Sequence, residues 1–199
     1  MKQPSCGLYF GSFNPLHIGH VAIANYLAYF TDLDNVRLIL SPQNPLKVPQ
    51  TARQSVLELR LEHIRKVMED KLLPVEVSDV EFHLPQPLYT INTLRHLQRT
   101  IPDTRFVPVF GADNLSQIER WYRWEEIFRD FEIYIYPRQG VDAAALCEKY
   151  NARRYPSADG SALVSPMGLR LLDAPLIGVS STFVREGLAS GKNMNGFLC

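Results

Sequence analysis

The segment Gly11 to His20 constrains this chain more than any other. It reads Gly-Ser-Phe-Asn-Pro-Leu-His-Ile-Gly-His, follows the apolar run Cys6 to Phe10 and precedes the helix-like segment Val21 to Phe30. A small-residue loop between a buried strand and a helix N-terminus is typical of phosphate-binding sites. Backbone N–H groups and the positive end of the helix dipole face the anion there. The segment therefore predicts an α/β fold that handles phosphate, and at Gly11 it allows backbone to approach the ligand closely.

Two histidines close this segment. His17 and His20 are three residues apart, so within a first helical turn both imidazoles lie on one side of the helix. Either ring can then donate a hydrogen bond to the same phosphate group. A single histidine at a helix start is more often a packing or capping residue, but a His-x-Gly-His unit between strand and helix favours function.

Apolar runs with strand character alternate with helical periodicity along most of the chain. This order predicts an α/β fold, with a doubly wound, mostly parallel sheet and helices on both faces. With 199 residues, 46% of them hydrophobic, the chain is long enough for one such domain and short for two, so we predict a single domain over 1–199. Residues 151–168 carry the weakest pattern and are expected to form a surface excursion. The predicted strands are Leu8 to Phe10, Val36 to Leu40, Val75 to Val77, Arg105 to Phe110, Glu132 to Tyr136 and Leu169 to Leu172, and the predicted helices are Val21 to Phe30, Gln54 to Glu69, Thr90 to Thr100, Trp124 to Phe128, Ala143 to Tyr150 and Ser181 to Ala189.

Loops rich in glycine, proline and asparagine follow the predicted strands. In a parallel sheet such loops meet at the carboxyl edge, where open α/β folds bind ligands. Turn chemistry explains the small residues, but it does not require Lys47, Asp113 and Arg138. These loops favour a nucleotide site and comprise Gly11 to Pro15, Ser41 to Lys47, Gly111 to Asn114 and Pro137 to Gly140.

A second helix start lies near the end of the chain, at Val179 to Arg185. Ser180 or Ser181 is suited to cap this helix, and Arg185 follows Ser181 by four residues, on the same face. Two hydroxyls, N–H groups and a guanidinium at one helix end can hold the β- and γ-phosphates of a triphosphate. Taken alone, the Val179 to Arg185 pattern is that of an ordinary capped surface helix.

A different helix is predicted over Gln54 to Glu69. It carries many charged residues, among them Arg60 and Arg65, and is expected to present a solvated face.

The two phosphate elements resemble the opening and closing motifs of the adenylyltransferase branch of the His-x-Gly-His nucleotidylyltransferase superfamily. Over nearly its whole length the chain is similar to the bacterial nicotinate mononucleotide adenylyltransferases. That family makes nicotinate adenine dinucleotide and pyrophosphate from ATP and nicotinate mononucleotide, in NAD biosynthesis. The resemblance implies a Rossmann-like fold and Mg²⁺ as cofactor, held mainly by the ATP phosphates rather than by protein ligands.

The resemblance implies catalytic roles for His17, His20 and Arg185, and two sets of binding residues. In the set that binds nicotinate mononucleotide, Trp121 would stack on the nicotinate ring, and N–H donors near Thr90 and Tyr122 would select a carboxylate over an amide. Independently of the resemblance, threonine at position 90 is suited to cap a helix over Ile91 to Thr100. The ATP set is Gly11, Ser12, Phe13, Asn14, His17, His20, Gly111, Asp113, Ser180, Ser181 and Arg185. The nicotinate mononucleotide set is Asn44, Lys47, Tyr89, Thr90, Trp121, Tyr122 and Arg138.

Three departures from the family pattern stand out. Leu88 occupies a position where the family usually has serine, and Val179 replaces isoleucine. The sequence also ends at Gly196 to Cys199, where the family commonly continues into another short helix. We therefore predict that the C-terminal helix is shortened or absent. If the protein forms a homo-oligomer, this difference would alter a contact between its subunits.

Three other functions remain open. The acceptor of the adenylyl group could be nicotinamide mononucleotide, phosphopantetheine or another phosphate. The His-Ile-Gly-His sequence also occurs in class I aminoacyl-tRNA synthetases, but the chain has no Lys-Met-Ser-Lys-Ser-like loop. A non-catalytic nucleotide sensor would keep the fold, and would bind ATP without releasing pyrophosphate.

Charge and cysteine content narrow the possible partners and compartment. Lys plus Arg and Asp plus Glu each total 21, so no bulk electrostatic field favours nucleic acid or an anionic membrane. No apolar run approaches the roughly 18 residues of a spanning helix. The three cysteines have neither metal-ligand nor disulfide-framework spacing, as expected of a cytoplasmic protein. We expect small-molecule substrates only.

Overall fold

A computed structural model describes residues 3–42 and 54–199. These residues divide into two compact units. The first comprises the chain up to Leu8 together with Tyr89–Leu176, and the second comprises Tyr9–Leu88 together with Ile177–Cys199. The prediction of a single domain stays a prediction.

The elements alternate between strands and helices, as the pattern predicts. Two 3-10 helices, Val80–His83 and Ile118–Arg120, lie among the regular elements. In chain order the regular elements are β1 (Ser5–Gly11), α1 (Ile18–Tyr29), β2 (Asn35–Leu40), α2 (Gln54–Asp70), β3 (Val75–Ser78), α3 (Thr90–Thr100), β4 (Arg105–Gly111), α4 (Ala112–Leu115), α5 (Trp124–Asp130), β5 (Ile133–Tyr136), α6 (Ala143–Ala152), β6 (Tyr155–Pro156), β7 (Leu163–Val164), β8 (Leu169–Leu171) and α7 (Ser181–Ala189).

Six strands form one sheet in the order β3-β2-β1-β4-β5-β8, and β6 pairs with β7 in a separate antiparallel hairpin. The pairs β2–β3, β4–β5 and β5–β8 are parallel. The register pairs Val36 with Val75 in the second unit and Gly111 with Tyr136 in the first. The predicted α/β class with a parallel sheet is confirmed.

Continuous burial explains why the strands have few polar residues. All four residues of β5 are buried, and the last six of the seven residues of β4 are buried. Strands covered on both faces require such near-continuous apolar runs. Each fully buried large side chain contributes about 1.5–3 kcal/mol from its transfer out of water. The strands therefore supply a rigid base from which the loops at their carboxyl ends project.

The single-turn helices and the two-residue strands are the elements that the sequence does not predict. Residues 112–115 form the single turn α4 instead of remaining a loop, and the region 151–168 contains the β6–β7 hairpin. That region is largely exposed, as expected, but Tyr155 is fully buried and donates to the carbonyl of Tyr150 at 3.0 Å. A single helical turn or a two-residue strand is too short to show a period. In the described part of the chain, no helix is both long and apolar enough to cross a membrane.

Candidate active site

The loop after β1 is organised around a buried phenylalanine. Phe13 has a left-handed backbone, with φ of 43°, and 1% of its surface is exposed. Its ring meets Tyr9 edge-on at 5.6 Å and His20 at 5.0 Å between centroids. A Cβ atom at Gly11 would lie 2.9 Å from this ring. Gly11 is therefore needed for the packing of Phe13, a reason that the sequence alone does not give.

The two histidines form a stacked pair. His17 precedes α1 as its N-cap residue, and its ring centroid lies 3.7 Å from that of His20 at an interplanar angle of 25°. The backbone N–H of His17 donates to His20 Nδ1 at 3.3 Å. Because Nδ1 accepts this bond, the proton of a neutral His20 ring is on Nε2. The expectation that both rings lie on one side is confirmed, and His20 offers Nε2–H as a donor.

The glycine between the histidines leaves room for the first ring. A Cβ atom at Gly19 would lie 3.0 Å from the His17 imidazole and 3.0 Å from the Ile177 side chain. His17 itself is 3% exposed. Any side chain at position 19 must displace one of these neighbours, so the His-x-Gly-His spacing is a packing requirement as well as a chemical one.

Two backbone donors at the start of α1 are used within the protein. The N–H of Ile18 donates to the carbonyl of Phe197 at 3.0 Å, and that of His20 donates to the carbonyl of His17 at 2.9 Å. An isolated antiparallel bridge between His17 and Leu198 accompanies the first bond. The prediction that the N–H groups of this helix start face the anion was wrong for these two groups. The chain near Phe197 packs against the helix start, and sequence periodicity carries no sign of that contact.

Helix α7 reaches the same loop. Ser181 Oγ donates to the carbonyl of Pro15 at 3.3 Å, and Arg185 Nη1 donates to the carbonyl of Asn14 at 2.7 Å. Ser180 Oγ accepts from the Phe183 N–H at 3.1 Å. Ser180, rather than Ser181, is therefore the N-cap. The two phosphate elements of the sequence form one cluster in the second unit, here called the phosphate cluster: Gly11, Ser12, Phe13, Asn14, His17, His20, Ser180, Ser181 and Arg185.

Helix α2 also contacts this loop. The Arg60 guanidinium Nη1 donates to the carbonyl of Ser12 at 3.3 Å. Sequence reasoning missed this residue, because its charged neighbours on α2 indicate a solvated face. A helical pattern shows which side chains share a face, and does not show which distant loop that face meets.

In the first unit, aromatic rings surround the start of α3. The rings of Tyr89 and Tyr122 stack with centroids 4.4 Å apart, and Trp121 meets Phe110 edge-on at 5.2 Å. Tyr122 is 48% exposed. The N-cap is Tyr89 with extended backbone, and Thr90 is the first helical residue. The prediction that Thr90 caps α3 was therefore wrong, because the helix begins one residue earlier than that role requires.

Leu88 is part of the hydrophobic core, and Trp124 is half-buried among aromatic neighbours. Leu88 is 5% exposed, so the residue in place of the family's serine packs apolar surface. Trp124 meets Phe128 and Tyr155 edge-on at 5.5 and 5.9 Å. Trp124 therefore packs against the aromatic core and keeps part of its surface exposed.

Asp113 and Arg138 form an ion pair in the first unit. Arg138 Nε lies 3.3 Å from Asp113 Oδ1, and the guanidinium lies 5.0 Å above the Tyr136 ring. The β4–β5 register pairs Gly111 with Tyr136, and each charged residue lies two positions beyond its member of that pair. Once the register of two neighbouring parallel strands is known, equivalent loop positions lie side by side, so the pair follows from the sequence and the register together.

Proteins of similar sequence show which family the chain belongs to. The cytidylyltransferase-like family profile matches residues 8–187. A protein of Flavobacterium psychrophilum named "probable nicotinate-nucleotide adenylyltransferase" is 38% identical over 96% of this chain and 90% of its own length. A protein of the same name from Bacteroides fragilis is 39% identical over 100% of this chain and 89% of its own length. The chain belongs to the nicotinate-nucleotide adenylyltransferase family.

Membership of the nicotinate-nucleotide adenylyltransferase family makes the chain a nucleotidyltransferase. A solved structure, the Plasmodium falciparum nicotinic acid mononucleotide adenylyltransferase complexed with NaAD, superposes with a TM-score of 0.75 at 15% identity. The match covers 96% of this chain and 87% of that one. At this identity the likeness shows a shared fold, the Rossmann-like nucleotidyltransferase fold predicted from the sequence.

The predicted site residues fall into two groups, one in each unit. The second unit holds the phosphate cluster, and Asn44 and Lys47 lie outside the described residues. Within residues 3–42 and 54–199, no three or more His, Cys, Asp and Glu side chains form a group suited to a metal ion. The first unit holds the remaining predicted residues: Tyr89, Thr90, Gly111, Asp113, Trp121, Tyr122 and Arg138.

The close packing at Gly111 gives one test of the first-unit residues. A Cβ atom there would lie 2.2 Å from Asp113 Oδ1 and 3.0 Å from the Tyr136 ring. We expect Gly111→Ala to displace Asp113 and raise the KM for ATP by about tenfold or more, since a misplaced binding group loses a charge-assisted bond of about 1.5–3 kcal/mol. Steady-state kinetics measure the effect, with Gly196→Ala as control because nothing lies within 4 Å of a Cβ there. Equal KM values for the two variants would remove Asp113 from the ATP set.

Proposed function

We propose that this chain transfers AMP from ATP to nicotinate mononucleotide, giving nicotinate adenine dinucleotide and pyrophosphate in NAD biosynthesis. The observation that carries the proposal is the stacked pair of His17 and His20, with Ser181 and Arg185 bonded to the same loop. Imidazole, hydroxyl and guanidinium donors converging on one short loop suit a polyphosphate. The named relatives at 38% and 39% identity support the same reaction.

The reaction is an in-line displacement at the α-phosphorus of ATP. A 5′-phosphate oxygen of the mononucleotide forms the new P–O bond, while the bond from the α-phosphorus to the bridging oxygen breaks. Pyrophosphate leaves with that electron pair. The attacking phosphate is already ionised at neutral pH, so the enzyme needs no strong general base. Its contribution is alignment of the two substrates and stabilisation of developing negative charge.

Each residue of the phosphate cluster has a role in this scheme. His20 donates Nε2–H to an α-phosphate oxygen, and His17 fixes the His20 ring through its backbone N–H while serving the α- and β-phosphates. Ser181 and Arg185 hold the departing β- and γ-phosphates. Mg²⁺ arrives as part of Mg-ATP, bound mainly by phosphate oxygens and water. Family membership supports a divalent ion in general, and magnesium is our proposal.

The acceptor site uses the aromatic residues of the first unit. Trp121 and the Tyr89–Tyr122 stack supply flat apolar surface for a pyridine ring, where stacking contributes roughly 0.5–1.5 kcal/mol beyond buried area. N–H donors near Thr90 and Tyr122 suit a carboxylate, and an amide there would set donor against donor. Unmatched polar groups discriminate strongly between otherwise similar substrates.

The cytoplasmic location suggested by the three cysteines stays a prediction.

Pyrophosphate release tests the proposal. With Mg-ATP in excess, nicotinate mononucleotide, nicotinamide mononucleotide and phosphopantetheine are compared at matched concentrations. We expect kcat/KM for nicotinate mononucleotide to exceed that for the amide by at least about tenfold, the effect of roughly one unpaired polar group. Equal use of both would keep the chemistry and discard the carboxylate selection. ATP binding without pyrophosphate release from any of the three would indicate a nucleotide sensor.

A further inference from the structure

We propose that Arg60 is a positioning residue for the phosphate loop, and that its positive charge contributes to binding the substrate polyphosphate. The proposal rests on the function proposed above and adds a residue to it. Arg60 lies on α2, more than forty residues from the loop that it contacts.

The first support is the charge balance around the guanidinium. Arg60 is partly buried, and this burial lowers the pKa of its guanidinium. Within the described part of the chain, no carboxylate forms an ion pair with it. The nearby Arg65 on the same helix differs, because it lies 3.6 Å from Asp79 and is half exposed. A partly desolvated charge without a counter-ion costs free energy, and an anion bound at the loop offsets that cost.

The second support is the bond that Arg60 makes. Its Nη1 donates to the carbonyl oxygen of Ser12 at 3.3 Å, directly after the end of β1. A guanidinium has five N–H donors, so one bond to Ser12 leaves capacity for phosphate oxygens. Because Ser12 belongs to the loop that leads to His17, the guanidinium lies beside the path of that loop.

The third support is how the loop is held as a whole. Arg60 binds the carbonyl of Ser12, Arg185 that of Asn14, and Ser181 that of Pro15. Two arginines on different helices thus fix a short stretch of backbone ahead of His17. Loss of either should let the loop shift, and small displacements of aligned groups reduce turnover strongly. The arrangement predicts that Arg60 affects turnover as well as ATP affinity.

Matched substitutions on one helix test this role. Arg60→Gln removes the charge, Arg60→Lys keeps it, and Arg65→Gln is the control. We expect Arg60→Gln to weaken binding of a non-hydrolysable ATP analogue about tenfold, by titration calorimetry, and to raise the KM for ATP while lowering kcat. Arg60→Lys should recover most of the affinity but less of kcat, because an ammonium lacks the planar fork of a guanidinium. Arg65→Gln should change none of these values by more than twofold.

Two results would overturn the proposal. The first is an Arg60→Gln enzyme whose analogue affinity, KM and kcat match those of Arg65→Gln. The second is equal loss of affinity in Arg60→Lys and Arg60→Gln, which would mean packing rather than charge. Should Arg60→Gln not fold, as judged by thermal unfolding, the comparison of Arg60→Lys with Arg65→Lys decides. Analogue binding is measured without an acceptor, so this arm is independent of whether the wild-type chain uses nicotinate mononucleotide.

Discussion

Replacing His20 with alanine should lower kcat for adenylyl transfer by about two to three orders of magnitude, while the protein stays folded. The substitution removes the ring whose Nδ1 accepts from the His17 N–H and whose Nε2–H is the donor proposed for the α-phosphate. Removing one donor to developing transition-state charge costs on the order of 3–4 kcal/mol in comparable sites. The ring also meets Phe13 and stacks on His17, so a smaller loss of stability is expected as well.

Two further variants distinguish loss of the His20 hydrogen-bond donor from a disturbance of the loop around it. His20→Asn keeps an acceptor near the Nδ1 position and lacks the Nε2–H group, whereas His20→Gln extends an amide donor toward it. If catalysis depends on the donor, His20→Gln retains more turnover than His20→Asn in a pyrophosphate-release assay. His63→Ala is the matched control, since His63 is exposed on α2. Near-normal turnover in His20→Ala, with its fold intact by circular dichroism, would remove the central mechanistic claim.

Replacing Arg185 with alanine should lower kcat/KM for ATP by roughly a hundredfold. The guanidinium bonds Asn14 O at 2.7 Å and Thr182 Oγ1 at 3.0 Å, yet the residue as a whole is exposed. It can therefore hold the loop and present positive charge to leaving pyrophosphate. Charge-assisted bonds are about twice as strong as neutral ones, and cationic groups that stabilise phosphoryl-transfer charge have larger effects still.

The comparison variants for Arg185 lie on or near the same helix. Arg185→Lys should recover part of the loss, since it restores charge without the bidentate fork. Lys192→Ala, an exposed cation just beyond α7, should leave kcat/KM within twofold of wild type. Should Arg185→Ala and Lys192→Ala behave alike, the guanidinium would have no part in catalysis.

The strands and helices with a clear hydrophobic pattern could be predicted from the sequence. The strands β4 and β5 are predicted because apolar, β-branched and aromatic residues run without interruption, and α3 and α7 are predicted to the residue. The His-x-Gly-His spacing likewise predicts two imidazoles on one side of the chain. Each of these signals is local, since it depends on neighbours within a few residues.

The features that the sequence does not predict depend on contacts between distant segments. The bond from the Ile18 N–H to the carbonyl of Phe197, and that from Arg60 to the carbonyl of Ser12, join residues far apart in the chain. The pairing of Asp113 with Arg138 is intermediate, because it follows once the β4–β5 register is known. Periodicity identifies faces of elements, whereas the partner of each face is set by tertiary packing.

The way the phosphate loop is held has a consequence for mutational tolerance. Ser12, Asn14 and Pro15 all accept their bonds at backbone carbonyl oxygens, and the donors are the side chains of Arg60, Arg185 and Ser181. A change of side chain at an accepting position leaves its carbonyl in place, whereas a change at a donor position deletes the bond. Substitutions at Ser12, Asn14 and Pro15 therefore keep the three bonds that hold the loop, whatever they do to the substrate contacts proposed for Ser12 and Asn14. Substitutions at Arg60, Arg185 and Ser181 delete those bonds.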